Sequence, residues 1–120
     1  MPVTGPDFIS LQVRDLERSA TFYPDTLKLA PAPFSPPHAV VFGGGSTAFA
    51  VRDLVPGVNL DDLPGQGIAL WMHATGVQQI HDDLVAAGTP IIVEPFDGPF
   101  GLTFTFADPD GYHVTLHDRA

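Results

Sequence analysis

The feature that most limits how this chain can fold is that its hydrophobic pattern occurs twice. "DFISLQVRDL" alternates, with Ile9, Leu11 and Val13 on one face and Phe8, Ser10 and Gln12 on the other. Shifted by 59 residues, Ile9 falls on Ile68, Leu11 on Leu70 and Val13 on Met72. In "GIALWMHA" the same alternation sets Ile68, Leu70 and Met72 against Gly67, Ala69, Trp71 and His73. A helical stripe follows each strand. In the first half it is Leu16, Ala20 and Tyr23, and in the second Val77, Ile80, Leu84 and Ala87. Asp15 offers the first helix an N-cap, and Glu17 puts acid where the helix dipole favours it. Thr75 and Gln78 suggest a capping box for the second helix, and Gly88 a C′ stop. Pro24 should end or bend the first helix.

Each half continues with extended segments. "APAPFSPPH" reads as a loop or broken edge strand, because proline cannot donate to a ladder. "AVVF-GGGS-TAFAV" reads as a hairpin, and the glycines lack the strand–turn–helix setting of a phosphate loop. "PIIVEPF", "LTFTFA" and "YHVTLHD" complete the second half, the last two joined by "DPDG", a type I turn sequence. "VPGVNLDDLPGQG" has no period and connects the halves. The expectation is one α+β domain, residues 1–120. It would hold two βαβββ modules, 7–53 and 67–118, joined by a linker at 54–66, with their sheets curving into a cleft.

Composition removes several function classes. The chain has 120 residues, 44% of them hydrophobic and 16% charged, in the globular range. With no cysteine, disulfides, thiolate metal sites and thiol catalysis are excluded. Fourteen acidic residues against five basic ones give a net charge of -9. The only lysine is Lys28, and without the Lys/Arg clusters that neutralise phosphates nucleic acid is not an expected partner. No stretch approaches the ~18 apolar residues of a membrane span. "MPVTGPDFIS" shows no secretory pattern, so the expected location is the cytoplasm.

Two further stretches carry a family resemblance. "ISLQVRDLERSATFYPDTL" resembles the first module of the glyoxalase/bleomycin-resistance/dioxygenase proteins, the vicinal oxygen chelate superfamily. "LVAAGTPIIVEP" and "FTFADPDGYHVTLHD" resemble the second. The resemblance runs from Phe8 to Asp118 and implies paired βαβββ modules, a homodimer, and clefts that can combine modules from two chains. The family usually has Leu-Gly after the first helix. Here Leu27 is followed by Lys28, which predicts a remodelled exit. In metal-dependent members the ligands fall at positions matching Phe8, Gly67 and Thr115. None is a normal donor, so the expectation is no metal and no other cofactor. His113 and His117 lie four residues apart on one strand, roughly 13 Å at ~3.3 Å per residue, too far to share an ion. A site relocated to His73 and one of these two is the alternative.

Alternation places Phe8, Ser10 and Gln12 on the cleft face of the first module. The second contributes Ala69, Trp71, His73, Thr103, Thr105, His113, Thr115 and His117. Phe34 and Phe49 are candidate further walls. Phe104 and Phe106 should be core, and His81, beside Asp82 and Asp83, solvated surface. Aromatic rings that stack, with Thr, Gln and His to orient polar groups, suit a planar organic ligand. The resemblance to metal-free bleomycin-resistance-like proteins implies sequestration of an aromatic antibiotic or natural product, without chemistry, as self-resistance. The ligand would be of the cationic kind that an acidic shell attracts. The alternative is a glyoxalase-like lyase, isomerase or dioxygenase with a relocated or histidine-based site.

Overall fold

The structure, a computed structural model, describes residues 2–43 and 47–119. It is an α+β chain, with seven strands and two helices among the described residues, that divides between Leu60 and Asp61 into two compact units.

The first unit holds β1 (Phe8–Val13), α1 (Leu16–Leu27), β2 (Ala39–Phe42) and β3 (Ala48–Asp53). β1 runs parallel to β3, β3 antiparallel to β2, and the order is β1-β3-β2. Ile9 registers with Phe49 and Leu11 with Val51, so the apolar row of β1 continues across the sheet. α1 covers that row, with Tyr23 edge-on to Phe49 at 5.1 Å and tilted to Phe42 at 6.1 Å. Asp15 caps the helix as expected, its carboxylate accepting from the Arg18 N–H at 3.1 Å. Pro24 neither ends the helix nor prevents a last turn, since its carbonyl accepts from the Lys28 N–H at 3.0 Å.

Two expectations for this half change. The helix exit is not remodelled: Lys28 itself takes the left-handed conformation (φ 60°) that glycine adopts most easily. The third strand after the helix does not form. An isolated bridge, Pro31 to Phe42, with the Ala32 N–H to Val41 carbonyl and Gly43 N–H to Ala30 carbonyl bonds, marks its place. Pro31, Pro33, Pro36 and Pro37 have no N–H to extend that pairing. β2 and β3 pair as the expected hairpin, although residues 44–46 of its "GGGS" turn lie outside the described residues.

The second unit holds β4 (Leu70–His73), α2 (Val77–Ala86), β5 (Ile91–Gly98), β6 (Gly101–Ala107) and β7 (His113–His117). Its sheet order is β4-β7-β6-β5, with β4 parallel to β7 and the other pairs antiparallel. Leu70, Val114 and Phe106 form one cross-strand row, and Met72, Leu116 and Phe104 another. With Val77 and Leu84 of α2 they make a core in which Phe104, Phe106 and Val114 are fully buried. Ile68, expected in that row, instead precedes β4 and is 80% exposed. Gly65 and Gly67, both just before it, have positive φ, which breaks the strand before Leu70.

The helix ends here also differ from one expectation. Thr75 does not cap α2. The cap residue is Gly76, left-handed at φ 67°, with no side-chain cap bond. Gly88 is the expected stop at φ 82°. Thr89 donates to the Leu84 carbonyl and Gly88 to that of Val85, the bond pair of a Schellman motif. The "DPDG" turn closes β6 onto β7. Asp108 accepts from the backbone N–H of both Asp110 and Tyr112 at 2.9 Å, and its own carbonyl accepts from Gly111 at 3.0 Å.

Candidate functional site: an aromatic sheet face in the second unit

The side of the second sheet opposite α2 is built by register. Trp71 lies beside Thr115, which pairs with Thr105, which pairs with Val93. In the next row His73 lies beside His117, which pairs with Thr103, which pairs with Phe96. Residues directly opposite one another on neighbouring strands share a face. The strand alternation in the sequence therefore brings Trp71, His73, Thr103, Thr105, Thr115 and His117 together. His113, opposite Ala107, belongs to the same face at its outer end and is exposed.

Two aromatic residues on this side escape a reading by alternation. Phe100 stands at the β5–β6 turn, 53% exposed, edge-on to Trp71 at 5.6 Å and to His117 at 6.1 Å. Phe96, 46% exposed, sits on β5, whose register shifts twice between Ile91 and Phe96. Trp71 is itself 46% exposed and lies 5.6 Å from the His117 ring. Three steeply inclined rings thus sit within contact of one another at an open surface, where large apolar area is usually hidden.

The turn that carries Phe100 is held by the end of the chain. The Arg119 N–H donates to the Phe100 carbonyl at 3.0 Å, and the Arg119 guanidinium to that of Pro99 at 3.1 Å. The Leu102 N–H donates to the Asp118 carboxylate at 2.9 Å. Gly101 has φ 88°, and a Cβ there would collide with the Asp118 carboxylate. An aromatic side chain on a pinned turn loses little freedom when a ligand packs on it.

The polar groups of the face have assigned roles. Thr105 and Thr115 share a hydroxyl–hydroxyl bond of 2.7 Å, so one of their two protons is directed elsewhere. His117 Nδ1 lies 2.9 Å from the Arg119 carbonyl. A carbonyl only accepts, so Nδ1 carries a proton, and in the neutral ring Nε2 presents the lone pair. Thr103 is buried, and its hydroxyl donates to the Gly101 carbonyl at 3.0 Å, which leaves it a role in the strand.

The remaining expected residues lie in the first unit. Phe8 is 53% exposed and Ser10 is exposed. Gln12 accepts from the Val55 N–H at 2.8 Å, a bond that ties down the chain after β3. Phe34 is exposed in the proline-rich segment. Phe49 is not a wall. At 7% exposure it packs between Tyr23 and Phe42 on the helix side of its sheet, in register with Ile9. An open depression of about 460 Å³ beside the start of α1 is lined by Asp15, Glu17, Arg18 and Thr21 and holds none of the expected residues.

His81 is not solvated surface either. Its side chain is 13% exposed, Nδ1 is 3.0 Å from Asp82 and Nε2 3.0 Å from Glu94. The ring stands edge-on to Phe104 at 5.3 Å. The hydrogen bond to Asp82, with the help of Glu94, raises its pKa above the ordinary histidine value against the opposing effect of burial. The same contact holds the Asp82 carboxyl below its usual range. This is a bridge between α2 and β5.

The positions that would hold the metal of metal-dependent relatives do not fit one. Phe8 and Gly67 carry no donor atom, and the Thr115 hydroxyl is engaged by Thr105. Among the described residues no three His, Asp or Glu side chains converge as ligands.

Comparison with known proteins agrees with the fold. Residues 5–116 match the profile of the Glyoxalase/Bleomycin resistance protein/Dioxygenase superfamily. A glyoxalase-related enzyme from Fulvimarina pelagi is 26% identical, with a TM-score of 0.77 over 98% of this chain and 89% of its own. TnmS3, an antibiotic binding protein from Streptomyces sp. CB03234, is 23% identical, with a TM-score of 0.78 over 100% of this chain and 99% of its own. A lactoylglutathione lyase from Agrobacterium tumefaciens is 20% identical, with a TM-score of 0.70 over 98% and 96%. No curated protein matches the sequence. With a match covering nearly its whole length, and the strand–helix order and parallel first-to-last pairing described above, the chain belongs to the Glyoxalase/Bleomycin resistance protein/Dioxygenase superfamily.

Proposed function

We propose that the protein binds a planar aromatic small molecule, an antibiotic or related natural product, and sequesters it without chemistry. The observation that carries this reading is the exposed group of Trp71, Phe100 and His117, three rings held 5.6–6.1 Å apart beside the Thr105–Thr115 hydroxyl pair. Flat ligands gain by stacking and by excluding water from such rings, and the hydroxyls and the His117 Nε2 fix orientation. The antibiotic-binding relative supports the ligand class. The net charge of -9 favours a ligand that carries positive charge. Phe8, Ser10 and Phe34, exposed in the first unit, are proposed as further ligand contacts. The working form is a homodimer in the cytoplasm, with self-resistance as the role. No helix among the described residues is long and apolar enough to cross a membrane, and the acidic charge disfavours nucleic acid.

A second reading, a lyase, isomerase or dioxygenase with a histidine-based site, is favoured by one observation: the lone pair on His117 Nε2 can act as a general base. Equilibrium dialysis against a panel of aromatic antibiotics, with EDTA present, separates the two. Sequestration predicts retention of one ligand class and its recovery unchanged by chromatography. Conversion of the ligand, or retention of none of the panel, would contradict it.

A further inference from the structure

We propose that His73 and His117 together form a binding site for a borderline divalent cation, Cu2+ foremost and then Ni2+ and Zn2+. The site differs from the superfamily's metal position. It engages the same His117 Nε2 that the ligand reading uses, so a bound ion and direct ligand contact at that atom exclude one another. The two residues are register partners on the parallel strands β4 and β7, and the Ala74 N–H to His117 carbonyl bond, 2.9 Å, continues that register. Their ring centroids are 5.8 Å apart at an interplanar angle of 75°.

That separation suits a shared ion. A ring nitrogen lies about 1.2 Å from its centroid and bonds a divalent ion at ~2.0–2.1 Å, so each centroid would stand about 3.2 Å from the metal. Two imidazoles on one ion then have centroids about 4.5 Å apart when cis, about 5.2 Å when tetrahedral and about 6.4 Å when opposed, so the observed spacing falls inside the range.

The second observation is the tautomer of His117. Its Nδ1–H donates to the Arg119 carbonyl, which orients the ring and leaves Nε2 as the ligating atom. Metal-binding histidines are held in this way, by a carbonyl or carboxylate on the other nitrogen. The donor set is two imidazoles with no carboxylate, which selects copper, nickel or zinc over calcium and magnesium. Two protein ligands leave coordination positions for water, or for a small molecule with neighbouring nitrogen and oxygen donors.

The test uses the whole chain and the metal alone. Trp71 is the only tryptophan, and its ring lies 5.6 Å from that of His117, so Cu2+ bound here quenches its emission. The expected result is saturable quenching by CuCl2, reversed by EDTA and competed by Zn2+, which is not itself a quencher. His73→Ala and His117→Ala should each weaken apparent copper affinity about tenfold or more, with unchanged far-UV circular dichroism. His38→Ala, in the first unit, should leave it unchanged. Quenching that does not saturate, or that survives His73→Ala, would overturn the proposal, and so would equal loss on His38→Ala. Failure here would leave ligand retention in EDTA untouched, so the two readings fall separately.

Discussion

Both units pair their first strand in parallel with their last and cover one sheet face with a helix, yet the second completes a four-stranded sheet and the first stops at three. The difference lies in the segment after the helix. In the second unit "IIVEPFDG" forms β5, an edge strand whose single proline, Pro95, coincides with a register shift. In the first, "PAPFSPP" offers too few N–H groups for a full ladder, and the pairing stops at the bridge around Pro31. The missing strand has a consequence for function. Phe96 and Phe100, at the end of the completed sheet, stand on a ladder and a pinned turn, whereas Phe34 stands on the proline-rich segment, 78% exposed. The same hydrophobic period thus supports a rigid aromatic face in one unit and not in the other.

The turns leading into the last strands give the sharpest way to test the rigidity of the second unit. Asp108 is 4% exposed and accepts two backbone N–H groups, so Asp108→Ala leaves both short of a partner. The expected loss is about 1–3 kcal/mol in urea unfolding, and a change below a few tenths would show that the turn does not depend on that carboxylate.

The helix exits make an opposed pair. Gly88 has φ 82° and open space around it, so Gly88→Ala costs only the left-handed strain, about 1–2 kcal/mol. Lys28 already bears that strain at φ 60°, so Lys28→Gly should gain about 0.5–1 kcal/mol. Chemical denaturation of the two variants should move the midpoints in opposite directions, and movement in the same direction would contradict the assigned backbone conformations.

The His81 bridge gives the second unit a pH dependence. Its pKa is raised in the folded chain, so the stabilisation is fully present below the unfolded value of ~6.5 while the carboxylates stay ionised. It is lost as pH rises through the raised folded value. The effect is modest because Asp82 and Glu94 are largely exposed. The urea midpoint of the wild type relative to His81→Gln should be higher near pH 5.5 than near pH 8.5. An equal difference at both would remove the bridge from the account.

Much of this was legible in the sequence, for a physical reason. Strand alternation fixes facing wherever pairing is regular, so Trp71, His73, Thr105, Thr115 and His117 could be placed together from their spacing alone. The reading failed where the period is interrupted. Phe96 follows a register shift and Phe100 stands in a turn, although an aromatic in "GPFG" between two strands is a signal in itself. Phe49 sits in "TAFAV", where apolar neighbours on both sides hide its facing, and only its register with Ile9 decides. His81 lies four residues after Val77 and three before Leu84. Its place on the buried stripe was therefore readable, but two adjacent aspartates suggested solvent. The missing third strand of the first unit was half-visible in its prolines, and the duplication argued against it.

The central claim is that the exposed rings of the second unit are the ligand-binding surface. Trp71 emission, measured in EDTA while titrating a planar aromatic antibiotic that dialysis shows to be retained, tests it most directly. The account predicts saturable quenching with a midpoint equal to the dialysis constant, and weakening of about tenfold in Phe100→Ala, whose ring lies 5.6 Å from Trp71. Retention of the ligand with unaltered Trp71 emission, and with full affinity in Phe100→Ala, would place the binding surface elsewhere and contradict the account.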